Sequence, residues 1–496
     1  MPEGVSGQAG PSAAGSLLLR AGRFRLETST VRPYHGAMLG TRTLRTFADG
    51  FGGEVILPGE PDYDAARAVW NGLVDRRPGL VVRPKGTADV VAALRFAREH
   101  ELVVAVRGGG HSIPGFSTCD DGIVVDLSRM RGATVDPEDR TAICAGGALL
   151  SELDDAAQAV GLVCPVGVVS HTGVGGLTLG GGMGRLQRKF GLTIDNLRAV
   201  DLVTAEGETV RASADENPDL FWGIRGAGAN FGVATSFEFA LHPLDHPITH
   251  GTVVHPLERA DELAQLFTEL AETGPDELWL GFYIRLAHPV EDFPVGIGGR
   301  PIAAVSVLHC GQPREAERDL ARLRAFGPPV AGSIEPKPHL AAQRLADVSS
   351  AWGHRFYMKS AFLRSLPEEL VERSVQHAAG IPEGAEGEFG FWSWGGAIAA
   401  VPEDATAFTG RTAAYWMGAE IQWDDPALDR TCREWARAGM SDVAPFAAGG
   451  RYVNDVAESR GDSRVIYGAG KYERLVGLKR AWDPENVFRM NQNIRP

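Results

Sequence analysis

Two clusters of glycine constrain this chain more than anything else in it. The first, RGGGHS at residues 107–112, lies between two short β-branched runs, 103–106 and 123–127, that read as buried strands. With no side chains at Gly108, Gly109 and Gly110, successive backbone N–H groups can converge on one oxyanion, and such nests bind phosphate. His111 and Ser112 stand at the lip of that loop. The second cluster, from residue 168, reads VVSHTGVGGLTLGGGMGRLQRKFGLTIDN. Glycine at that density is costly in backbone entropy, and a chain with 44% hydrophobic residues is not a linker. Something large and flat is expected to lie against that backbone.

The rest of the chain bounds what that body can be. Neither cluster contains GxGxxG, and GxxxxGK[ST] is absent, which argues against a Rossmann or a nucleoside-triphosphatase site. The 496 residues are enough for two domains with a core each. With 49 basic against 63 acidic residues the formal charge is −14, and no basic stripe offsets it, so no nucleic acid partner is expected. No apolar run approaches the roughly 20 residues that cross a bilayer. SLLL at 16–19 is too short for the core of a signal peptide, so no membrane association and a cytoplasmic location are expected. Five cysteines, an odd number without CxxC, indicate neither a disulfide framework nor a metal site.

Along the chain, residues 1–40 are rich in Gly, Ala, Ser and Thr and are expected to be poorly ordered. The helical pattern improves after Met38, so the start is either Met1 or Met38. Residues 61–72 read as an entry helix, and 78–110 as strand, helix and strand, with Thr87 capping the helix and the first glycine loop following. Residues 141–163 repeat the design, the helix stopping at Gly161. FGVATSFEFALHP, at 231–243, reads as an edge strand. Beyond the cluster HPLDHPITH, longer alternating strands (GTVVHP, ELWLGFYIRL, PIAAVSVLHC, TAAYWMGAEIQW) mix with helices, as in an antiparallel sheet with helices on one face.

RGGGHS, then VVDLSRM, then TGVGGLTLGGGMG with RKFGLTIDN, then DLFWGIRGAGANFGVAT together resemble the FAD-binding domain of the vanillyl-alcohol oxidase superfamily. YVND followed by YGAGKYERLVGLKRAWDPENVFRMNQNIRP is similar to the terminal segment of its berberine-bridge-enzyme-like oxidases. The resemblance is collinear over residues 78–496. It implies an α+β fold: a two-subdomain PCMH-type FAD-binding domain plus a substrate domain with an antiparallel sheet covered by helices. The expected divisions are an N-terminal extension at 1–45, the FAD-binding domain at 46–245, the substrate domain at 246–445, and a segment at 446–496 that returns to the FAD domain.

The resemblance also implies roles. His111 occupies the position of covalent FAD attachment. Val169 stands where many relatives add a second bond through cysteine, so attachment through His111 only is expected; Cys164 is the nearest thiol upstream. Arg107, Gly108, Gly109, Gly110 and Ser112 would hold the pyrophosphate. Thr172, Gly173, Gly176, Asp195 and Asn196 would line the adenosine and ribityl path, Val233 would meet adenine through its backbone, Asn454 would lie at the flavin, and Asn491 and Gln492 would touch the flavin or its ribityl chain. Leu177 replaces a histidine near the flavin N1–C2 edge, where developing charge needs a positive or hydrogen-bonding partner. His171 and Lys189 could supply it, and the role is left unassigned. Tyr452 matches the tyrosine of a YxN element and is a candidate base, although a phenol is a poor one unless its pKa is lowered. Asp455 is either the base or a turn residue. Tyr415 either faces the pocket or belongs to the core.

The implied activity is that of an FAD-linked oxidase of secondary metabolism, moving a hydride from an alcohol or amine carbon of a small molecule to flavin. That molecule could be a sugar, alkaloid-like or polyketide-like, with O2 as the second partner and hydrogen peroxide as product. The alternatives are a non-oxidative cyclisation or isomerisation in natural-product biosynthesis, and a binding protein without turnover. The protein is expected to be a monomer or homodimer.

Overall fold

The structure, a computed structural model, describes residues 40–287, 298–458 and 463–496; the expectation for residues 1–39 lies outside them. Thr41–Gly50 form a helix. Leu80–Arg83, Val104–Arg107 and Ile123–Asp126 then make a parallel set, edged by the antiparallel strand Glu54–Ile56. The helix Thr87–Glu99 buries Val90, Ala93, Leu94 and Ala97, a stripe at helical spacing, against this sheet. Gly86 rather than Thr87 holds the N-cap position; no side chain caps the helix, and the Asp89 carboxylate instead accepts the Lys85 N–H at 2.9 Å. The entry helix is shorter than expected, Tyr63–Arg67, because the backbone turns extended at Ala68.

The second sheet is antiparallel, in the order Ala133–Asp136, Thr141–Ala145, Val233–Ala240, Leu197–Val203, Thr209–Ser213. Val233–Ala240 is therefore its central strand, not an edge. The polar alternation there comes from one half-covered face, on which Glu238 pairs with Arg211 of the outer strand.

The third sheet has seven strands, all antiparallel: Ala331–Lys337, Ile248–Pro256, Pro301–His309, Leu278–Leu286, Ala385–Ser393, Tyr415–Trp423, Arg355–Leu363. One face packs Phe282, Phe389, Phe391, Met417 and Ile421 under the helices Ala260–Thr273, Glu368–Ala378 and Asp429–Val443. The opposite face of its central strands carries Tyr283, Glu388, Trp392, Trp416 and Glu420. Gly390 lies directly across from Gly418, and Tyr283 across from Gly390. A Cβ at Gly281 would meet the Tyr283 ring at 2.7 Å, and one at Gly418 the Trp416 ring at 2.6 Å. Strand side chains ordinarily stand perpendicular to a sheet. Here glycine neighbours let both rings lie along it, and the space above them stays open.

Residues 463–496 run back to the second sheet's helix. Fully buried Lys479 donates to Asn230 O and Phe488 O, each at 2.8 Å, and pairs with Asp483 at 2.7 Å. Asn491 Nδ2 donates to Ala229 O at 2.7 Å. All five cysteines are buried and free. Among the described residues no helix is long and apolar enough to cross a membrane.

Candidate active site

A cavity of about 1190 Å³ runs between the glycine loops and the open face of the seven-stranded sheet. Its wall includes Gly108, Gly109, Gly110, His111, Ser112, Val169, Thr172, Gly173, Gly176 and Leu177 on one side. Tyr452, Asn454, Asp455, Asn491 and Gln492 line it as well. Sequence motifs far apart in the chain thus meet on one surface.

The first glycine loop leaves Arg107 at the end of a buried strand. Gly110 has φ +73°, and a Cβ there would meet the Trp352 ring at 2.9 Å. Gly109 and Gly173 touch backbone to backbone: a Cβ on either would come within 2.2 Å of the other's N. Only glycine permits that approach. The N–H groups of Gly109, Gly110 and His111 donate to no acceptor among the described residues. Three consecutive bare donors form an anion nest. Ser117 Oγ and Asn491 Oδ1, on residues of the cavity wall, are also buried without partners, and buried polar groups are ordinarily hydrogen-bonded. These features fit a large ligand carrying a diphosphate and further polar groups, as FAD does.

The second cluster is explained partly by protein. A Cβ at Gly180 would strike the Asn454 carboxamide at 2.2 Å, at Gly181 the Phe408 ring at 2.7 Å, and at Gly182 Thr193 Oγ1 at 2.2 Å. These glycines admit neighbouring side chains; Gly176, by contrast, has nothing within 4 Å of its Cβ position. Tyr452 is seated against Gly181, where a Cβ would meet its ring at 3.1 Å. Its phenol oxygen accepts N–H bonds from Gly182 at 3.2 Å and Asn454 Nδ2 at 2.9 Å. Burial first, and the nearby Asp455 second, push the phenol pKa up, so Tyr452 keeps its proton at neutral pH.

Asp455 is buried, and its carboxylate accepts Trp416 Nε1–H at 2.9 Å and a bond from Ser360. Burial raises its pKa to about 7 despite those two donors. Glu388 and Glu420 face each other across adjacent strands on the same wall. Burial, then Glu388 and Asp455, hold Glu420 well above the usual carboxylate range. These glutamates escaped the sequence reading, because only strand register brings them together. So did Arg185, a cavity-wall residue whose Nη1 reaches Ala342 O at 3.5 Å and whose Nε has no partner.

Other expected residues lie elsewhere. Tyr415 is on the helix-covered face, beside Phe267 and 3.4 Å from Glu272, not in the cavity. Asp195 makes a two-oxygen ion pair with Arg411 at 2.6 and 3.0 Å, and Asn196 binds the carbonyls of Phe190 and Leu192. Neither reaches the cavity wall, whereas Val233 has only its neighbours Gly232 and Ala234 there. Arg107 is buried, donating to Ala66 O and Ser117 O with Asp126 at 3.8 Å, so it braces the loop from behind. Lys189 pairs with Glu277 at 2.6 Å near the surface and His171 engages His111, so neither is free to meet charge in the cavity. Cys164 is buried in the core of the second sheet.

Comparison with known proteins agrees with this geometry. Residues 78–213 match the family described as FAD binding domain, and residues 452–495 the family described as berberine and berberine like. The (R)-6-hydroxynicotine oxidase of Paenarthrobacter nicotinovorans is 33% identical, over 90% of this chain and 97% of its own. An FAD-linked oxidoreductase of Dictyostelium discoideum is 31% identical, over 92% of this chain and 97% of its own. The crystal structure of 6-hydroxy-D-nicotine oxidase from Arthrobacter nicotinovorans aligns with a TM-score of 0.81 at 28% identity, covering 90% of this chain and 98% of that one.

Proposed function

As the chain belongs to the FAD-linked oxidoreductases that join a PCMH-type FAD-binding domain to a berberine-bridge-like C-terminal segment, we propose that it is an oxidase acting on an alcohol or amine carbon of a small molecule. FAD, when bound, supplies the hydride acceptor and passes the electrons to dioxygen, giving hydrogen peroxide. His111 is the residue that holds it covalently, and Val169 leaves that bond single. The bare donors of Gly109, Gly110 and His111 hold the diphosphate, and Asn454 and Asn491 contact the flavin.

Asp455 takes the substrate proton. Its pKa of about 7 lies where general bases work best at neutral pH, and Tyr452, with a raised one, is suited to donate rather than accept. Tyr452 receives its bonds from Asn454, Gly182 and Met183 at oxygen, so its O–H is available to orient the reacting group. Arg185, desolvated in the wall, meets negative charge as it develops. The single observation that carries this reading is the convergence of a poised acid, the Tyr452–Asn454 pair and a bare anion nest on one cavity.

The test is an absorption spectrum of purified protein before and after acid precipitation, followed by a screen of alcohols and amines for peroxide. Yellow colour kept in the pellet and peroxide released on substrate are expected. A product equal in mass to its substrate, with no peroxide, would replace this reading with a cyclisation or isomerisation.

A further inference from the structure

Arg185, on the cavity wall, lacks the partner that a desolvated cation ordinarily has. It follows the second glycine cluster and reaches across to the seven-stranded sheet, its guanidinium 5.9 Å from the centre of the Trp279 ring. Nη1 meets only the Ala342 carbonyl, at 3.5 Å, and Nε is buried without an acceptor. No carboxylate among the described residues pairs with the group. Arginine keeps its proton in a protein, and a charge taken out of water is costly unless it is paired. The surroundings supply no negative charge. His250 and His339, 3% and 2% exposed, stand near it, and none of their four ring nitrogens has a partner. Burial first, and the Arg185 charge second, push their pKa values down to about 3 and about 4, so both rings are neutral. Burial also pushes the Tyr283 pKa up and keeps that phenol neutral beside Arg185.

We propose that the substrate is an organic acid whose carboxylate docks on Arg185, several bonds away from the carbon that is oxidised beside Asp455 and Tyr452. This rests on the proposed oxidase reading and names the substrate class for it. A planar carboxylate matches the fork of a guanidinium and brings the standing anion that this end of the cavity lacks. Charge that develops during turnover adds to that partner and does not replace it. The register of the sheet keeps the cavity's own carboxyl groups away. Glu388 lies opposite Arg285, six residues along the strand from Trp279, with Glu420 beyond it, which is roughly 20 Å at the rise of a strand. The same register sets the length of the ligand. Trp416, whose Nε1–H bonds Asp455, stands two strands over from Trp279 and two residues along, roughly 12 Å at the spacings of a sheet. An acid that carries its carboxylate on the carbon next to the reacting one is too short for that span. A ring or chain between the two groups fits it.

Binding can be read on the holoenzyme without turnover. Phenylvalerate and phenylvaleramide share one length and differ in charge, and each is titrated into the protein by calorimetry, with phenylacetate as the short acid. Phenylvalerate is expected to bind about 10- to 100-fold tighter than its amide, the worth of hydrogen bonds between charged groups, and tighter than phenylacetate. Arg185→Met should bring acid and amide together by weakening the acid, and Arg185→Lys should keep part of the difference. In the peroxide screen, methyl esterification of an acid that turns over should raise KM far more than it lowers kcat. Phenylvalerate that binds no better than its amide, or a preference for the acid that survives in Arg185→Met, would overturn the proposal. The comparison on the wild type decides even if a variant fails to fold. If the preference for the acid holds while no alcohol or amine gives peroxide, the oxidase reading falls and the carboxylate site stands.

Discussion

In the proposed reaction Asp455 is the base, and the proton transfer rests on its one carboxyl group. As a base it works ionised, so flavin reduction under anaerobic conditions should rise about tenfold per pH unit below its pKa of about 7 and level off above it. Asp455→Asn should slow that step by about 10² to 10⁴ and remove the pH limb, as read by stopped-flow absorbance. Stability responds with a definite sign. Because folding raises the pKa from 3.8 to about 7, the contribution of this group is full below the ordinary carboxylate value and is lost as pH rises to about 7. Asp455→Asn should therefore melt above wild type at pH 8 and close to it at pH 4. Asp195 makes the opposite case: with Arg411 only 1% exposed, removing one partner by Asp195→Asn should cost about 3–5 kcal/mol in denaturant unfolding. FAD affinity of the folded fraction should hold. The difference between these two aspartates was not visible in the sequence. Asp455 directly follows the Tyr452–Asn454 motif, whereas the partner of Asp195 is 216 residues away.

At the scale of elements, the glycines under Tyr283 and Trp416 set the depth of the cavity. Gly418→Ala should lift the Trp416 ring off the sheet, narrow the cavity and weaken the Nε1–H bond to Asp455. Two results are expected in steady-state assays: KM rises most for the bulkiest substrates, and the pH inflection moves upward because a donor to the carboxylate is lost. The local motifs of this layer were legible: both glycine loops, the strand–helix–strand leading into the first, and the Tyr452–Asn454 turn can each be recognised within a few residues. What pairs across the sheet was not. In AEGEFGFWS, at 385–393, polar and glycine positions face the cavity and break the apolar run that marks a strand. Tyr415 shows how thin the margin is, since one step along a strand reverses the face. Its neighbour Trp416 lines the cavity, and Tyr415 supports the helices behind it.

For the whole molecule, the cavity is a meeting place of segments that belong to different layers, and its integrity depends on the strand of chain that returns to the second sheet. Lys479→Met would leave Asp483 buried without its cation and should cost about 3–5 kcal/mol. Added FAD should recover part of that loss in thermal melts, because a ligand that binds only the folded state stabilises it by mass action. Gly182 and Tyr452, which share a hydrogen bond, are 270 residues apart in the chain. On a translating ribosome the glycine loops therefore emerge long before the turn that packs against them. Until Tyr452, Asn454 and Asp455 have been made, a nascent chain carries a cofactor cradle with one wall missing. Cofactor loading is then a late event in the life of each molecule, and the supply of flavin matters most to chains that have already left the ribosome.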